Sequence, residues 1–313
     1  YAMIEQITNR TQTQYHQAAF KPKLLPDVDA AGPLSASTLS AMRDPIRFLT
    51  AGPKAQSADM AWGSLVDLLW LTPEDWDQYV VLKPSDAPKK PTAAQRNAAK
   101  PSQASINAIG WWDQFNARTL GKMVVDQALL DEVRAARDML ELHPISSYIW
   151  QCSQKQVMFA GSSDQLHPNG KTYQAKSMMD LLPMDGHVEI GGQRVDLNTC
   201  VVDLKQCHQV SDYGMKKATS TFEYHLKTEW YLNMLRASGQ PQRDKAILIF
   251  QNSKEPRDVH VRLISEEDLA LGRRLAIERM DMLPNLNHRD LRPLFDTEVK
   301  VLTLAKWMKE DEE

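Results

Sequence analysis

Two short segments in the second half of the chain carry residue types that could act together on a phosphate. Asp203-Leu204-Lys205 closes the apolar run 200–202 and follows Asp180 by 23 residues. In an extended strand alternate side chains share a face, so Asp203 and Lys205 point the same way while Leu204 points into the core. One face then offers a carboxylate for a divalent cation beside a fixed ammonium. Asp180 would complete a cation site without a dedicated cage, which is how Mg²⁺ usually binds.

A D-x-K triplet alone is a weak signal, so the elements around it decide its weight. Residues 188–190 and 194–197 flank Gly191-Gly192, which predicts a hairpin between Asp180 and Asp203. Strands are also predicted at 157–160 and 172–178, with a turn at Asn169-Gly170. A helix is predicted from about 212 to 237, followed by strands at 246–251 and 259–264. A last helix should begin at Ser265, whose capping pattern places Asp268 three residues later.

The first half of the chain is mainly helical in pattern. Residues 1–34 are punctuated by proline and predicted to be irregular, and a helix follows with Ser35 or Ser37 as its N-cap. Asp59 is the predicted cap of the next helix, which is apolar and runs to Pro73. Residues 83–105 are rich in proline and read as a loop, and 106–150 return to a helical pattern. We therefore predict one α/β domain over 1–313, with a helical part at 1–150 and a mixed sheet flanked by helices in 151–313.

Composition bounds the function. The 313 residues include 25% charged and 42% hydrophobic ones, which is ordinary for a globular protein, and the net charge of −3 gives no global attraction to nucleic acid. The three cysteines show no paired spacing, which favours a reducing compartment. With no signal pattern and no long apolar stretch, we expect a cytoplasmic protein without a membrane partner.

The order of these motifs resembles the PD-(D/E)xK nuclease superfamily, and within it the RecE-like (exodeoxyribonuclease VIII) branch. The likeness is carried by five ordered segments over roughly residues 15–308. They are the serine-rich opening Leu34-Ser35-Ala36-Ser37, Gly63-Ser64-Leu65-Val66-Asp67 continuing to Leu71 and Pro73, Asp180 before Asp203-Leu204-Lys205, Tyr224-His225-Leu226-Lys227 with Tyr231, and Leu304-Ala305-Lys306-Trp307.

Three positions depart from the family pattern. Asp67 stands where the family has a histidine, so an oxygen ligand is kept while its charge and reach change. Gln156 stands where many relatives carry a glutamate, so one acidic group is absent. Lys227 replaces the usual glutamine and places a cation where a neutral amide normally touches the substrate.

The resemblance implies a restriction-endonuclease-like core and a mechanism. Asp180, Asp203 and the Leu204 backbone carbonyl would hold Mg²⁺ or Mn²⁺, with Asp67 a further ligand. Lys205 would position the attacking water and offset charge on the phosphoryl oxygens. DNA contacts fall on the helix after the triplet, at His225, Lys227 and Tyr231.

The resemblance also implies a substrate and an assembly. Members of the branch digest linear double-stranded DNA from an end, 5′ to 3′, and leave 3′ overhangs for recombination. Bacterial or phage origin, a homo-oligomeric ring and a single-strand annealing partner are implied in the same way. The alternative is a catalytically weakened DNA-binding or assembly protein on the same fold, which the changes at Gln156 and Asp67 motivate.

Several residues keep two interpretations. Asp67 lies on a largely apolar helix and needs a partner or a cation if buried, but it could occupy a narrow exposed face. His225 and Lys227 could face solvent, and Tyr231 could pack in the core. Trp111-Trp112 could stack on a base, although packing is the more ordinary role.

Overall fold

A mixed β-sheet organises the chain. The computed structural model describes residues 3–8, 12–21, 30–50, 52 and 57–286. The strands in this part are β1 (Ile4–Ile7), β2 (Val80–Leu82), β3 (Met123–Val125), β4 (Ser153–Ser163), β5 (Tyr173–Pro183), β6 (His187–Ile190), β7 (Gln193–Asp196), β8 (Cys200–Cys207), β9 (Lys245–Asn252) and β10 (Val259–Leu263). Within the described residues, six of them form one sheet in the order β1-β4-β5-β8-β9-β10.

Helices lie between and after the strands of this sheet and cover both of its faces. They are α1 (Gln12–Gln17), α2 (Ala36–Ala41), α3 (Pro45–Thr50), α4 (Ala58–Leu71), α5 (Trp76–Tyr79), α6 (Ala93–Arg96), α7 (Gln103–Arg118), α8 (Gln127–Leu142), α9 (Pro144–Gln151), α10 (Asp212–Phe222), α11 (Tyr224–Ala237) and α12 (Glu266–Met282). None of the helices in the described part of the chain combines the length and the apolar character that crossing a lipid bilayer requires.

The strand directions make the sheet mixed. β4, β5 and β8 form an antiparallel series, and β8 then pairs with β9 in parallel. A parallel pair needs a crossover, which α10 and α11 supply. The predicted fold class, α/β with a mixed central sheet flanked by helices and a helical N-terminal part, is confirmed.

Two hydrophobic clusters cover the two faces of the sheet. Alternate residues of β9 separate between them: Leu248 and Phe250 join one cluster, and Ile247 and Ile249 join the other. The first cluster packs under α2, α11 and α12, and the second packs under α4, α8 and α9. Val201 belongs to the first cluster, while Leu204 belongs to the second. Asp203 and Lys205, which share the parity of Val201, are thereby placed on the α11 side of β8.

Several local predictions are confirmed by the strand and helix bounds. The hairpin β6–β7 turns at Gly191 and Gly192, both with positive φ. Ser265 caps α12, since its Oγ accepts from the Asp268 backbone at 3.1 Å. Ser35 caps α2 in the same way.

Other local predictions were wrong. The cap of α4 is Ser57, whose Oγ accepts from the backbone of Met60, so Asp59 falls in the first turn. Residues 1–34 include β1 and α1. β1 forms by pairing with β4 at the edge of the sheet, a long-range contact that the local sequence pattern does not show. The range 83–105 includes the short helix α6 and the start of α7. The segment 304–307 lies outside the described residues.

The helix predicted over 212–237 is broken at Glu223. This residue has φ of 53° and ψ of 47°, a left-handed conformation between α10 and α11. Its carboxylate is buried and accepts two hydrogen bonds from Arg279, at 2.7 and 2.5 Å, and one from Ser40 at 2.9 Å. These long-range partners offset the cost of the left-handed backbone, which sequence periodicity could not reveal.

Candidate active site

The site begins where β5 and β8 stop pairing. In the described chain, Leu181 with Val202 is the single residue pair of this ladder. Antiparallel register would bring Asp180 opposite Asp203 next. Instead, Asp180 Oδ2 accepts a hydrogen bond from the Leu204 backbone at 2.9 Å. The two strands therefore separate at the two aspartates, and a carboxylate takes the place of a backbone acceptor.

The other neighbour of Asp180 is Gln156 on β4. Lys155 pairs with Leu181 and Val157 pairs with Met179, so the register places Gln156 opposite Asp180. The ladder is interrupted there because Gln156 has φ of 50°. Its Nε2 lies 3.4 Å from Asp180 Oδ1 and donates to it, and its buried Oε1 has no hydrogen-bond partner. The side-chain amide of Gln156 thus donates to the aspartate.

Asp203 and Lys205 share one face of β8 and contact each other. Asp203 is 2% exposed, and the Lys205 ammonium forms an ion pair with its Oδ2. The same Nζ donates to the Leu204 carbonyl oxygen at 3.1 Å. Burial lowers the pKa of Lys205, but the carboxylates of Asp203 and Asp180 outweigh it, so the net shift is upward and the lysine stays charged.

Asp67 on α4 joins this group through electrostatics. Its pKa is raised to about 7: burial is the largest cause, the Lys205 ammonium opposes it, and the Asp203 carboxylate adds a smaller upward shift. The pKa of Asp180 is raised well above its ordinary value by burial first, then by Asp203 and Asp67. Three carboxylates therefore lie close enough to repel one another around the Lys205 ammonium.

The donor set fits a hard divalent cation by its chemistry. All the candidate ligands are oxygens, and the pKa values of Asp67 and Asp180 are raised by burial first and by neighbouring carboxylates second, both of which a bound cation would oppose. Among residues 3–8, 12–21, 30–50, 52 and 57–286, however, no three histidine, cysteine, aspartate or glutamate side chains are grouped as metal ligands. The Lys205 ammonium pairs with one of the two Asp203 oxygens, Oδ2.

The first turn of α11 adds an aromatic ring between two cations. The ring centroid of Tyr224 lies 5.2 Å from Lys205 Nζ and 5.5 Å from Lys227 Nζ. Burial lowers the pKa of Lys227 to about 8, with a further contribution from Lys205. Tyr231 lies four residues after Lys227 on the same helix. Its pKa is raised by burial first and then by Asp203 and Asp180. Lys227 and Tyr231 thus lie within electrostatic range of these carboxylates.

His225 lies apart from these groups. It is 8% exposed and lines a separate cavity of about 500 Å³ between α10, β10 and the start of α12, with Phe250 and Arg262 among its neighbours. Burial lowers its pKa, so it is neutral at pH 7. The structure therefore brings together Asp67, Asp180, Asp203, Lys205, Lys227 and Tyr231, and leaves His225 outside.

Two aromatic residues at this site were not singled out as functional by the sequence. The sequence named Tyr224 only as part of a motif, whereas in the structure its ring lies beside both lysines. Phe222 stacks on Tyr224 and is 54% exposed. An aromatic pair in Phe-x-Tyr spacing, beside the D-x-K strand, is the signal that could have indicated them. Trp111 and Trp112 instead pack with Phe115 on α7.

Comparisons with known proteins add a distant structural likeness. No protein-family model and no curated protein sequence matches the chain. A crystal structure from Eubacterium rectale, titled "Putative exonuclease", aligns with 99% of this chain and 100% of its own at 12% sequence identity, with a TM-score of 0.45.

Proposed function

We propose that this protein is a divalent-cation-dependent nuclease, a phosphodiester hydrolase whose centre is Asp180, Asp203 and Lys205. The observation that carries the proposal is the convergence of two aspartates and a lysine where β5 and β8 separate, with Asp67 electrostatically coupled to them. Carboxylates beside one fixed ammonium match a phosphate held through a cation and attacked by water.

The proposed role of each residue follows from the chemistry of its side chain. Asp180, Asp203 and Asp67 would hold Mg²⁺ or Mn²⁺, together with the Leu204 carbonyl. The bound cation supplies polarisation of the phosphate and a lower pKa for a water ligand. Lys205, charged at pH 7, stabilises the negative charge that grows on the phosphoryl oxygens. Lys227 and Tyr231 contact the strand that carries the scissile phosphate.

The finer proposal is an exodeoxyribonuclease that digests linear duplex DNA from an end, 5′ to 3′, leaving 3′ overhangs for recombination. It rests on the sequence resemblance, as do the homo-oligomeric ring and the annealing-protein partner. The test compares end-labelled linear duplexes with covalently closed circles of the same sequence, in Mg²⁺, Mn²⁺ and EDTA. We expect the wild type to degrade only the linear duplex, and only when a metal ion is present. Asp203→Asn should degrade neither substrate. Equal cutting of the closed circles would mean that the protein is an endonuclease and not an exonuclease.

A second candidate function has its own support. Gln156 donates to Asp180, and Lys205 pairs with Asp203, so two of the proposed ligands are already engaged by protein groups. A DNA-binding or assembly protein with weakened catalysis would keep such contacts. It predicts DNA binding without measurable cleavage in either metal, even at high enzyme concentration.

A further inference from the structure

Phe222 is a large apolar side chain exposed at the rim of the candidate site. Its ring stacks on Tyr224 at a centroid distance of 5.7 Å and an interplanar angle of 22°. Tyr224 is 7% exposed whereas Phe222 is 54% exposed. One face of the Phe222 ring is therefore backed by Tyr224, and the other faces solvent.

The backbone holds this ring in place. Glu223 adopts the left-handed conformation between Phe222 and Tyr224, and its buried carboxylate is fixed by Arg279 and Ser40. A left-handed residue that is not glycine persists only where its surroundings over-determine it. The ion pair thus holds the break between the helices, at which α10 ends with Phe222.

Cations surround the ring pair. Lys205 and Lys227 lie against Tyr224, and Arg43, whose side chain is 61% exposed, donates to the Thr221 carbonyl at 3.2 Å beside Phe222. An apolar protein surface seated on Phe222 would bring these charges into a dry interface, which is costly. A nucleic-acid strand suits both features, because its bases stack on aromatic rings and its phosphates pair with ammonium and guanidinium groups.

We propose that Phe222, backed by Tyr224, is a stacking platform for an unstacked base of a nucleic-acid strand entering the site, with Arg43 and Lys227 binding the adjoining phosphates. This inference rests on the proposed function. It assigns Phe222 a positioning role: the stacked base fixes the register of the strand, and the phosphate next to it is led past Tyr224 toward Lys205 and the carboxylates.

The experiment uses the full chain in Ca²⁺, with single strands and frayed-end duplexes that carry 2-aminopurine at the 5′ or the 3′ terminal position. Stacking on an aromatic ring changes the fluorescence of this base, and affinity is measured in parallel by anisotropy. Phe222→Leu keeps an apolar side chain but loses the ring, and Phe222→Trp keeps a ring. Tyr148→Ala, a 40% exposed tyrosine on α9 under the other face of the sheet, is the matched control.

We expect the fluorescence change in the wild type, Phe222→Trp and Tyr148→Ala, and its loss in Phe222→Leu. Affinity of Phe222→Leu should fall by about 5- to 150-fold, the equivalent of ~1–3 kcal/mol for one stacked base. An unchanged signal and affinity in Phe222→Leu would overturn the platform while the nuclease proposal stands. A wild-type protein that binds no DNA would overturn both. If every variant, including Tyr148→Ala, still bound DNA but lost the fluorescence change, the platform would also be overturned, because the effect would not be specific to Phe222.

Discussion

The Leu204 backbone amide donates a hydrogen bond to Asp180 Oδ2 at 2.9 Å, across two strands that stop pairing at that residue. One carboxylate therefore combines two features. It satisfies an amide that the strand separation leaves without a backbone partner, and its own pKa is raised by burial and then by the neighbouring carboxylates of Asp203 and Asp67. Asp180 therefore links β5 and β8 at the point where their backbone pairing ends.

The first prediction separates these two features. Asp180→Ala removes the acceptor of the Leu204 amide, which should destabilise the fold by about 1–3 kcal/mol. Asp180→Asn keeps an acceptor and removes repulsion with Asp203, so it should unfold at a higher urea concentration than Asp180→Ala. Both variants should lose cleavage. Identical urea midpoints for the two would mean that the hydrogen bond to Leu204 contributes nothing to stability.

The second prediction uses the raised pKa of Asp67. A carboxyl whose folded pKa is about 7, against about 3.9 unfolded, contributes stability that is full below the lower value and lost as pH rises through the higher one. In EDTA the wild type should therefore lose thermal stability between about pH 4 and 8 relative to Asp67→Asn. Asp59→Asn, on the same helix but with an exposed carboxylate, should follow the wild type.

Mg²⁺ completes this test. Ionised Asp67 is available mainly above pH 7, so stabilisation of the wild type by Mg²⁺ should increase from about pH 6 to 8 and be weaker in Asp67→Asn. Curves that coincide for wild type and Asp67→Asn, with and without Mg²⁺, would place Asp67 outside the site.

The geometry of β8 follows from its sequence, whereas the break after α10 does not. A spacing of two in an extended run places Asp203 and Lys205 on one face whatever the surrounding fold, because side-chain alternation is local. Glu223 sits in a segment whose local pattern is helical throughout, and its left-handed backbone depends on Arg279, which is 56 residues away. His225 was expected beside the substrate. Its side chain instead faces the cavity at the start of α12, which helical spacing could not show.

The third prediction concerns Glu223. Burial raises its pKa, but hydrogen bonds from Arg279 and Ser40 outweigh this, so the net pKa is lowered. Glu223→Gln leaves the buried guanidinium without its charge partner and should cost about 3 kcal/mol at pH 7, the lower end for unpairing a buried charge, since glutamine keeps one acceptor. The exposed pair of Arg96 and Asp113 supplies a control, and Arg96→Gln should cost under about 1 kcal/mol.

The pH dependence of this difference has a definite sign. A glutamate with a depressed folded pKa contributes stability above its unfolded pKa of about 4.3, and loses it as pH falls through the folded value. The gap between wild type and Glu223→Gln in urea denaturation should thus be constant near pH 7 and shrink below about pH 4. A gap that widens in acid would contradict the ion-pair account.

The fourth prediction tests DNA contact by Lys227. Its pKa is lowered to about 8, by burial first and by Lys205 second, so it loses its charge as pH rises from 7 to 9. Wild-type affinity for DNA in Ca²⁺ should fall over that range, and Lys227→Gln should not show the fall. At pH 7 the same variant should lower the magnitude of the salt slope by about one unit. Lys217→Gln, at an exposed position on α10, should keep the pH dependence. Matching slopes and pH profiles for wild type and Lys227→Gln would leave Lys227 without a role in binding.

The fifth prediction decides between the two candidate functions through Gln156. Its amide donates to Asp180 Oδ1, and its buried Oε1 has no hydrogen-bond partner. Gln156→Glu exchanges that donor for a fourth carboxylate, which adds repulsion in the metal-free protein and an oxygen ligand in the loaded one. We expect lower thermal stability in EDTA, a larger stabilisation by Mg²⁺ or Mn²⁺ than in the wild type, and faster cleavage if chemistry is limited by cation affinity. Gln154→Glu, at an exposed position on the same strand, controls for added charge.

If Gln156→Glu gains cation stabilisation and cleavage while the wild type shows neither, the natural glutamine is what weakens catalysis, and the DNA-binding function is the correct one. If the wild type already cleaves and Gln156→Glu changes only its metal titration, the nuclease function holds with glutamine as a tuning residue beside Asp180.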